Sequence, residues 1–278
     1  MEGEVELLFP EAPALTARDA RRRRILACQC TPRSDLAIKP LWHRSRPESV
    51  RPTVDVEGRV VARDELGPDI FRLVVEVGVP VAFRPGQYAI IEVEGVRRCY
   101  SMTNLPGEAA LEFLFKRYAG PASTALARLS EGSRLSLGVP YGDMWLRPGT
   151  QPALLMAGGT GVAPILGLVR QLVAEASGRD VAVVYGANTL ADLVLADELE
   201  ALVGKLPRGS FHPVLLSPPE GWSHGTGFVT DALAVAVESL RGRPDVYVAG
   251  PPPMIEPTLS VLRKIGVELD SIYYDSFG

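Results

Sequence analysis

The stretch Ala153-Leu154-Leu155-Met156-Ala157-Gly158-Gly159-Thr160-Gly161-Val162-Ala163-Pro164 decides the fold of the second half of the chain. A short apolar run predicts a buried strand, and the glycines after it let a phosphate group approach the backbone. Pro164 fits the first turn of a helix, where its missing N–H is not needed. The stretch therefore predicts a strand, a phosphate-binding loop with Gly159, Thr160 and Gly161, and a helix.

Downstream of this loop, apolar runs of strand length alternate with amphipathic segments of helix length. The pattern predicts strands over 181–185, 211–216 and 245–249, and helices over 163–175, 193–203 and 254–265. Strands that alternate with helices form a parallel sheet with both faces covered. Residues 150–278 are therefore predicted to form a doubly wound parallel-sheet α/β domain.

Upstream of the loop, between about residues 56 and 148, the pattern changes to that of β-structure. Apolar and other residues alternate from Phe71 to Val77, as in a strand with one buried face. Turn residues separate this segment from further short strands at 88–93 and 111–115, and one short helix is predicted at 122–129. Residues 53–149 are predicted to form a small antiparallel barrel.

Composition limits the classes of function. The 278 residues suffice for about two domains. A net charge of −4 argues against nucleic-acid binding, and no apolar stretch reaches the ~20 residues of a membrane span. The acidic N-terminus lacks the pattern of a secretory signal, and three cysteines give no disulfide framework. We therefore expect a cytoplasmic protein without a membrane span.

A second motif, Arg98-Cys99-Tyr100-Ser101, lies about 60 residues before the glycine loop. An arginine can donate two hydrogen bonds to a phosphate, and a tyrosine two residues further along a strand projects from the same face. The motif alone is common, and taken by itself it is better explained as a plain barrel strand. Its position between Pro85-Gly86-Gln87-Tyr88 and Gly158, with Gly250-Pro251-Pro252-Pro253-Met254 far downstream, makes it informative.

In their order and spacing these segments resemble the ferredoxin–NADP reductase superfamily, in particular the reductase components of phenol-hydroxylase and naphthalene-dioxygenase systems. The resemblance implies a β + α/β fold: an antiparallel FAD-binding barrel, then a nicotinamide-binding domain. It assigns Arg98 to the FAD phosphates, Tyr100 to the isoalloxazine ring and Ser101 to the neighbourhood of its N5. It also places Asp275 and Phe277 at the reacting centre, where the aromatic ring of Phe277 covers the flavin face.

The resemblance extends to a second flavin segment, Gly120 to Thr124, which departs from the family pattern. The family usually has two glycines here, whereas Pro121 follows Gly120 and removes one backbone donor. Gly120, Ser123 and Thr124 are expected to contact the FAD phosphates. An ordinary helix cap by Ser123 or Thr124 is an equal alternative.

For the nicotinamide, the resemblance implies contacts from Gly250, Pro251 and Met254 in addition to the glycine loop. Many family members have cysteine at the position of Ala249, although alanine is also common in reductases of multicomponent monooxygenases. NADPH-specific relatives place Arg, Ser or Lys after the second strand. Residues 185–192 contain no cation here, which favours NADH and leaves NADPH open.

Residues 1–40 resemble a remnant of a plant-type 2Fe–2S ferredoxin domain, and residues 41–52 a linker. Cys28 would be the fourth cluster ligand, but the other three, in a Cys-x4-Cys-x2-Cys run, are absent from this sequence. Either the natural chain begins upstream or the domain has been lost. No metal ligand is assigned, and a cluster is expected only in a longer protein. We expect the remnant to be poorly ordered or packed opportunistically.

The sequence thus predicts a flavin-dependent oxidoreductase that takes hydride from NAD(P)H and passes single electrons to a ferredoxin or oxygenase partner. Hydride transfer requires no general acid or base, so His43, His212 and His224 are interpreted as non-catalytic. Two alternatives remain: a flavin-binding electron-transfer or regulatory subunit that depends on its partner's centre, and a remnant without flavin. The oligomeric state is left open.

Overall fold

A computed structural model describes residues 3–8, 24–25, 30–38, 52–118 and 121–277, with the backbone alone at 121–123. The chain divides into two compact units, Met1–Val50 and Arg51–Gly278. In the first unit β1 (Val5–Leu7) pairs antiparallel with β2 (Cys30–Pro32). This ladder is ordered structure within the segment interpreted as a ferredoxin remnant. Cys28 lies outside the described residues.

The first half of the second unit is an antiparallel sheet with the strand order β6-β5-β8-β3-β4-β7. Its elements are β3 (Val54–Glu65), β4 (Ile70–Val77), β5 (Tyr88–Val93), β6 (Val96–Ser101), β7 (Ala110–Lys116), α1 (Pro121–Ala127) and β8 (Arg134–Tyr141). Just beyond β6, Met102 pairs with Phe113 of β7, which brings the two edges of the sheet together. Alternate side chains of β4, Leu73 and Val75 among them, are fully buried in the interior of this barrel.

The second half is a parallel sheet with the strand order β12-β11-β10-β9-β13-β14. Its elements are β9 (Ala153–Gly158), α2 (Val162–Ala174), β10 (Val181–Ala187), α3 (Ala196–Val203), β11 (Gly209–Leu215), β12 (Gly225–Thr226), α4 (Leu233–Glu238), β13 (Asp245–Gly250), α5 (Pro252–Lys264) and β14 (Ile272–Ser276). Both faces are covered, because alternate residues of β9 belong to different cores: Leu155 packs with α2 and α3, and Leu154 packs with α4 and α5.

The predicted fold class, an antiparallel barrel followed by a doubly wound parallel sheet, is confirmed. The α-helix predicted over 193–203 begins only at Ala196, because Leu195 at its N-cap adopts a left-handed φ of 60°. The sequence pattern did not predict α4 or the edge strands β12 and β14. No helix among the described residues is long and apolar enough to cross a membrane.

Candidate active site

The carboxyl ends of β9, β13 and β14 lie side by side at one edge of the parallel sheet. β13 is the central strand, and Ala249 pairs with Ala157 on one side and with Asp275 on the other. The Phe277 N–H donates to the Gly250 carbonyl at 3.2 Å, which extends the pairing beyond β14. Because ligands of open α/β sheets bind outside the carboxyl ends of the strands, this edge is the candidate site.

Glycines at this edge allow three loops to pack without side chains between them. A Cβ at Gly161 would collide with the carbonyl oxygen of Ala249, and one at Gly158 would collide with the sulfur of Met254. A Cβ at Gly250 would lie 2.9 Å from the same sulfur. The glycine loop, the Gly250 turn and Met254, each predicted to contact the nicotinamide, are therefore brought together.

Gly159 differs from these three glycines because it faces open space. Its φ is +54°, a left-handed conformation that favours glycine, and no atom would lie within 4 Å of a Cβ there. Helix α2 begins directly after this loop, and no side chain caps its first turn. Uncapped N–H groups beside open space form a donor set that suits a pyrophosphate. Thr160 is half-buried in this loop, and Pro164 is buried in the first turn of α2.

On the barrel side, β6 presents the Arg98 motif. The Arg98 side chain is exposed, and its guanidinium donates to the Arg97 carbonyl at 2.8 Å. Among the described residues it forms no ion pair, so its remaining donors suit a phosphate. The ring of Tyr100 packs against Phe115 with 4.1 Å between centroids, and burial raises the pKa of Tyr100 to about 12.

One contact joins the barrel motif to the end of the parallel sheet. The Ser101 side chain lies close to the Asp275 carboxyl. Burial raises the pKa of Asp275, and the nearby Ser101 hydroxyl partly offsets the shift. Burial also raises the pKa of the neighbouring Cys99 thiol, and the charge of Asp275 adds to that shift. Ser101, Asp275 and Ala249 therefore meet where the two halves of the unit face each other.

The remaining predicted site residues lie at the margins of the described structure. Phe277 is half-buried and packs against the core formed by β9, α2 and α3. Thr124 is exposed in α1. Gly120 and the side chain of Ser123 fall outside the described residues, so the contact predicted for the second flavin segment stays a prediction. The described residues contain no cluster of metal-ligating side chains.

Sequence reasoning missed an exposed aromatic side chain at the same edge of the sheet. Phe228 is 67% exposed, and it follows β12, which pairs parallel with β11. The loops after β10 and β11 are also joined here, because the Ser217 N–H donates to the Asn188 carbonyl at 2.8 Å. An aromatic residue directly after Gly227, next to a short strand, is the signal that would have identified it. Neither loop, 186–192 or 216–228, contains Lys or Arg.

Comparisons with known proteins agree with this arrangement. Residues 155–259 match the family model of the oxidoreductase NAD-binding domain. Over 99% of its length the chain is 36% identical to the ferredoxin–NAD(+) reductase component of the alkene monooxygenase system of Xanthobacter autotrophicus, of which it covers 86%. Over 91% of its length it is 31% identical to the ferredoxin–NAD(P)(+) reductase component of the naphthalene 1,2-dioxygenase system of Pseudomonas putida, of which it covers 77%.

Two solved structures are similar over the whole chain. The ferredoxin reductase in carbazole 1,9a-dioxygenase superposes with a TM-score of 0.78 at 30% identity, with 84% of its length covered. A cytochrome P450 reductase of Amycolatopsis superposes with a TM-score of 0.85 at 28% identity, with 85% of its length covered.

Proposed function

The chain belongs to the family of ferredoxin–NAD(P)+ reductase components of oxygenase systems, and from this premise we propose that it oxidises NADH and delivers single electrons to an oxygenase or its ferredoxin. It is a FAD-dependent NAD(P)H oxidoreductase. FAD, when bound, accepts a hydride from the nicotinamide and returns the two electrons one at a time. The fold supplies binding, orientation and exclusion of water.

The convergence of Ser101, Asp275 and the glycine loop at one edge is the observation that supports the proposal most. Ser101 comes from the barrel and Asp275 from the last strand of the parallel sheet, yet Asp275 lies close enough to Ser101 and Cys99 for each to affect the pKa of its neighbour. A barrel-bound ring and a sheet-bound ring would therefore meet at this point. Holding two reacting rings in contact is the main requirement of hydride transfer, which needs no general acid or base.

For the flavin, Arg98 would bind the phosphates, Tyr100 would pack against the ring system, and the Ser101 hydroxyl would lie near its reactive edge. Phe277 would cover the face that the nicotinamide must reach. The second flavin segment would add phosphate contacts from Gly120, Ser123 and Thr124. The exposed donors of Arg98 and the half-buried ring of Tyr100 support the first two assignments.

For the nicotinamide, the pyrophosphate would bind at Gly159, Thr160, Gly161 and the start of α2, which includes Pro164. The ring would then lie along the turn formed by Gly250, Pro251 and Met254. Phe228 would stack on the adenine, because a large exposed aromatic ring at the sheet edge suits a flat base. Phe228 follows β12, which lies three strand positions, or about 14 Å, from β9 along the sheet, and this separation suits the opposite end of a dinucleotide.

NADH is the proposed nicotinamide. A 2′-phosphate would have to lie near the joined loops after β10 and β11, and these contain no Lys or Arg. Asp192 lies in the first of them, and its carboxylate pairs with Lys116 at 3.1 Å. An acidic edge without an unpaired cation leaves a dianionic phosphate uncompensated. The related reductases include ones whose names specify NAD(+) and ones whose names specify NAD(P)(+).

The proposed domain boundaries are 53–149 for the flavin barrel and 150–278 for the nicotinamide domain. Residues 1–40 are proposed to be the ferredoxin-like remnant, and residues 41–52 the linker. The proposed location is the cytoplasm, where NADH is available. There the free thiols of Cys30 and Cys99 remain reduced.

An anaerobic titration tests the proposal. The purified chain, reconstituted with FAD, is titrated with NADH and then with NADPH while its visible spectrum is recorded. We expect the flavin bands to bleach with one equivalent of NADH and to require far more NADPH. A chain that binds no FAD, or whose flavin neither nucleotide reduces, would contradict the proposed function. Equal efficiency of the two nucleotides would contradict only the preference for NADH.

A further inference from the structure

We propose that helix α2 sets the separation between the nicotinamide loop and the flavin strand, with Gly167 and Arg170 as the positioning residues that hold the helix against that strand. The inference rests on the proposed function and concerns residues that neither the loop motif nor the flavin motif contains. Gly167 and Arg170 lie three positions apart, so they share one face of the helix. That face is directed at the residues that follow Ser101.

The first contact is a close approach of backbones at Gly167. A Cβ at this position would lie 3.2 Å from the Met102 carbonyl oxygen and 3.5 Å from the Thr103 carbonyl oxygen. The 3.5 Å distance is an ordinary contact, but at 3.2 Å a methyl group would require the helix and the Met102 carbonyl to separate by a few tenths of an ångström. The absence of a side chain therefore permits the observed spacing between α2 and the segment directly after Ser101.

The second contact is a set of charged hydrogen bonds from Arg170. Its Nη1 donates to the Thr103 carbonyl at 3.0 Å and to the Glu112 carboxylate at 3.0 Å, both in the barrel. Its Nη2 donates to Glu198 of α3 at 2.6 Å. Thr103 is fully buried, and its backbone and side chain both bond to Glu112. Arg170 thus ties the helix to a rigid part of the barrel.

Helix α2 begins at the glycine loop and contacts the segment that follows Ser101, so it connects the two proposed binding sites. The glycine loop ends at Gly161, which is the N-cap of α2, and Arg170 lies nine residues further along the helix. At ~1.5 Å per residue this is a rigid spacer of about 13 Å. The buried face of α2 packs on the parallel sheet, so the helix cannot move relative to the glycine loop without disrupting that core. Its contacts with Met102 and Thr103 therefore position Ser101 relative to Gly159.

The first test replaces Arg170 in the full chain loaded with FAD. We expect Arg170→Gln to lower the limiting rate of single-turnover flavin reduction by NADH about 10-fold, because sub-ångström displacement of reacting groups is enough for such losses. The Kd for NADH and the FAD content should remain unchanged. Arg170→Lys, which keeps the charge without the forked geometry, should give an intermediate rate. Glu198→Gln is the matched control, since it removes the charge from the bond between α2 and α3 and leaves the barrel contacts of Arg170 in place.

Hydrogen exchange supplies a readout that does not depend on turnover. The Met102 and Thr103 amides are bonded to the Gln87 and Glu112 carbonyls at 3.1 and 3.0 Å. We expect these two amides to exchange faster in Arg170→Gln and to remain at the parent rate in Glu198→Gln. Exchange at the parent rate in both variants would overturn the proposed contact.

Gly167→Ala provides a second variant in case Arg170→Gln does not fold. It should lower the limiting rate about 5-fold without weakening NADH binding, whereas Gly204→Ala, in ordinary contact at the end of α3, should match the parent. If NADH reduces the FAD of the parent rapidly and reduces the FAD of these variants at the same rate, the positioning role is overturned and the proposed function stands. A parent whose FAD is not reduced by NADH would contradict the proposed function, and the inference with it.

Discussion

The strand β6, proposed to bind the flavin, and the glycine loop, proposed to bind the nicotinamide, are built in opposite ways. The strand β6 contributes side chains: the Arg98 guanidinium, the Tyr100 ring and the Ser101 hydroxyl. The glycine loop contributes backbone, and its close packing depends on side chains that are missing at Gly158 and Gly161. A site of side chains loses contacts one at a time when residues are truncated. A site of backbone is instead disrupted by a single added atom.

The largest effect is therefore expected from an added methyl group in the loop. Gly161→Ala places a Cβ against the Ala249 carbonyl, and overpacking of this kind costs about 1–3 kcal/mol. The resulting shift of the loop should reduce NADH-driven flavin reduction by about 100-fold. Stopped-flow absorbance and thermal unfolding measure the two effects.

The matched control for this change is Gly178→Ala, in the same domain. No atom lies within 4 Å of a Cβ at Gly178, so the variant should reduce its flavin at the parent rate. A Gly161→Ala protein with parent activity would show that the loop tolerates side chains, and the contrast between the two sites would be lost.

A smaller and more selective effect is expected on the flavin side. Arg98→Ala removes charged hydrogen bonds worth about 1.5–3 kcal/mol, so FAD should bind about 10–100-fold more weakly. Fluorescence titration of the apoprotein with FAD measures this directly. Arg97→Ala is the matched control, since Arg97 is equally exposed and its charge lies 3.5 Å from Glu92. Equal FAD affinities in the two variants would remove Arg98 from the site.

The same difference explains how far the sequence could predict the site. A binding site formed by closely packed backbone requires glycine at fixed positions, and such a pattern can be recognised in a sequence. The loop from Gly158 to Pro164 is predicted for this reason. Periodicity likewise predicted β4 and α2, whose buried faces decide the spacing of apolar residues. The fold class followed from these elements and is confirmed.

The remainder depends on contacts that no local pattern encodes. Strand β14 has only five residues, and although Ile272, Tyr273 and Tyr274 favour strands, its place in the sheet is fixed by its pairing with β13. The proximity of Ser101 to Asp275 brings together residues that are far apart in the sequence. Arg170 resembles any exposed cation of an amphipathic helix until the structure places it on Thr103 and Glu112. Contacts across the two halves are therefore the part of the site that sequence reasoning missed.

Phe228 tests whether the far end of the nicotinamide site also uses a side chain. Phe228→Ala should raise the KM for NADH about 10-fold and leave kcat unchanged, because stacking on a base is worth about 1–3 kcal/mol and is uniform along the reaction. Phe228→Tyr should retain the parent KM. Val235→Ala, at an apolar residue of α4 that is 58% exposed, is the control. A fall in kcat would place Phe228 near the reacting centre and contradict an adenine contact.

The smallest expected effect is the pH dependence of stability at Asp275, where the two halves meet. Burial raises the pKa of this carboxyl above its ordinary value of 3.8, so the folded chain holds the proton more tightly than the unfolded chain. The stability that this carboxyl contributes is then fully present below pH 3.8 and is lost as the pH rises through the folded pKa. Asp275→Asn is neutral throughout and escapes this loss.

Consequently, the Tm of Asp275→Asn minus that of the parent should increase from about pH 3.5 to neutral, the range in which a carboxyl with a raised pKa titrates. Calorimetry of both proteins over this range measures the difference. A difference that is constant with pH would mean that Asp275 titrates alike in the folded and unfolded chain. The end of the parallel sheet would then be solvated rather than closed against the barrel, and the side-chain and backbone sites would not form one reaction centre.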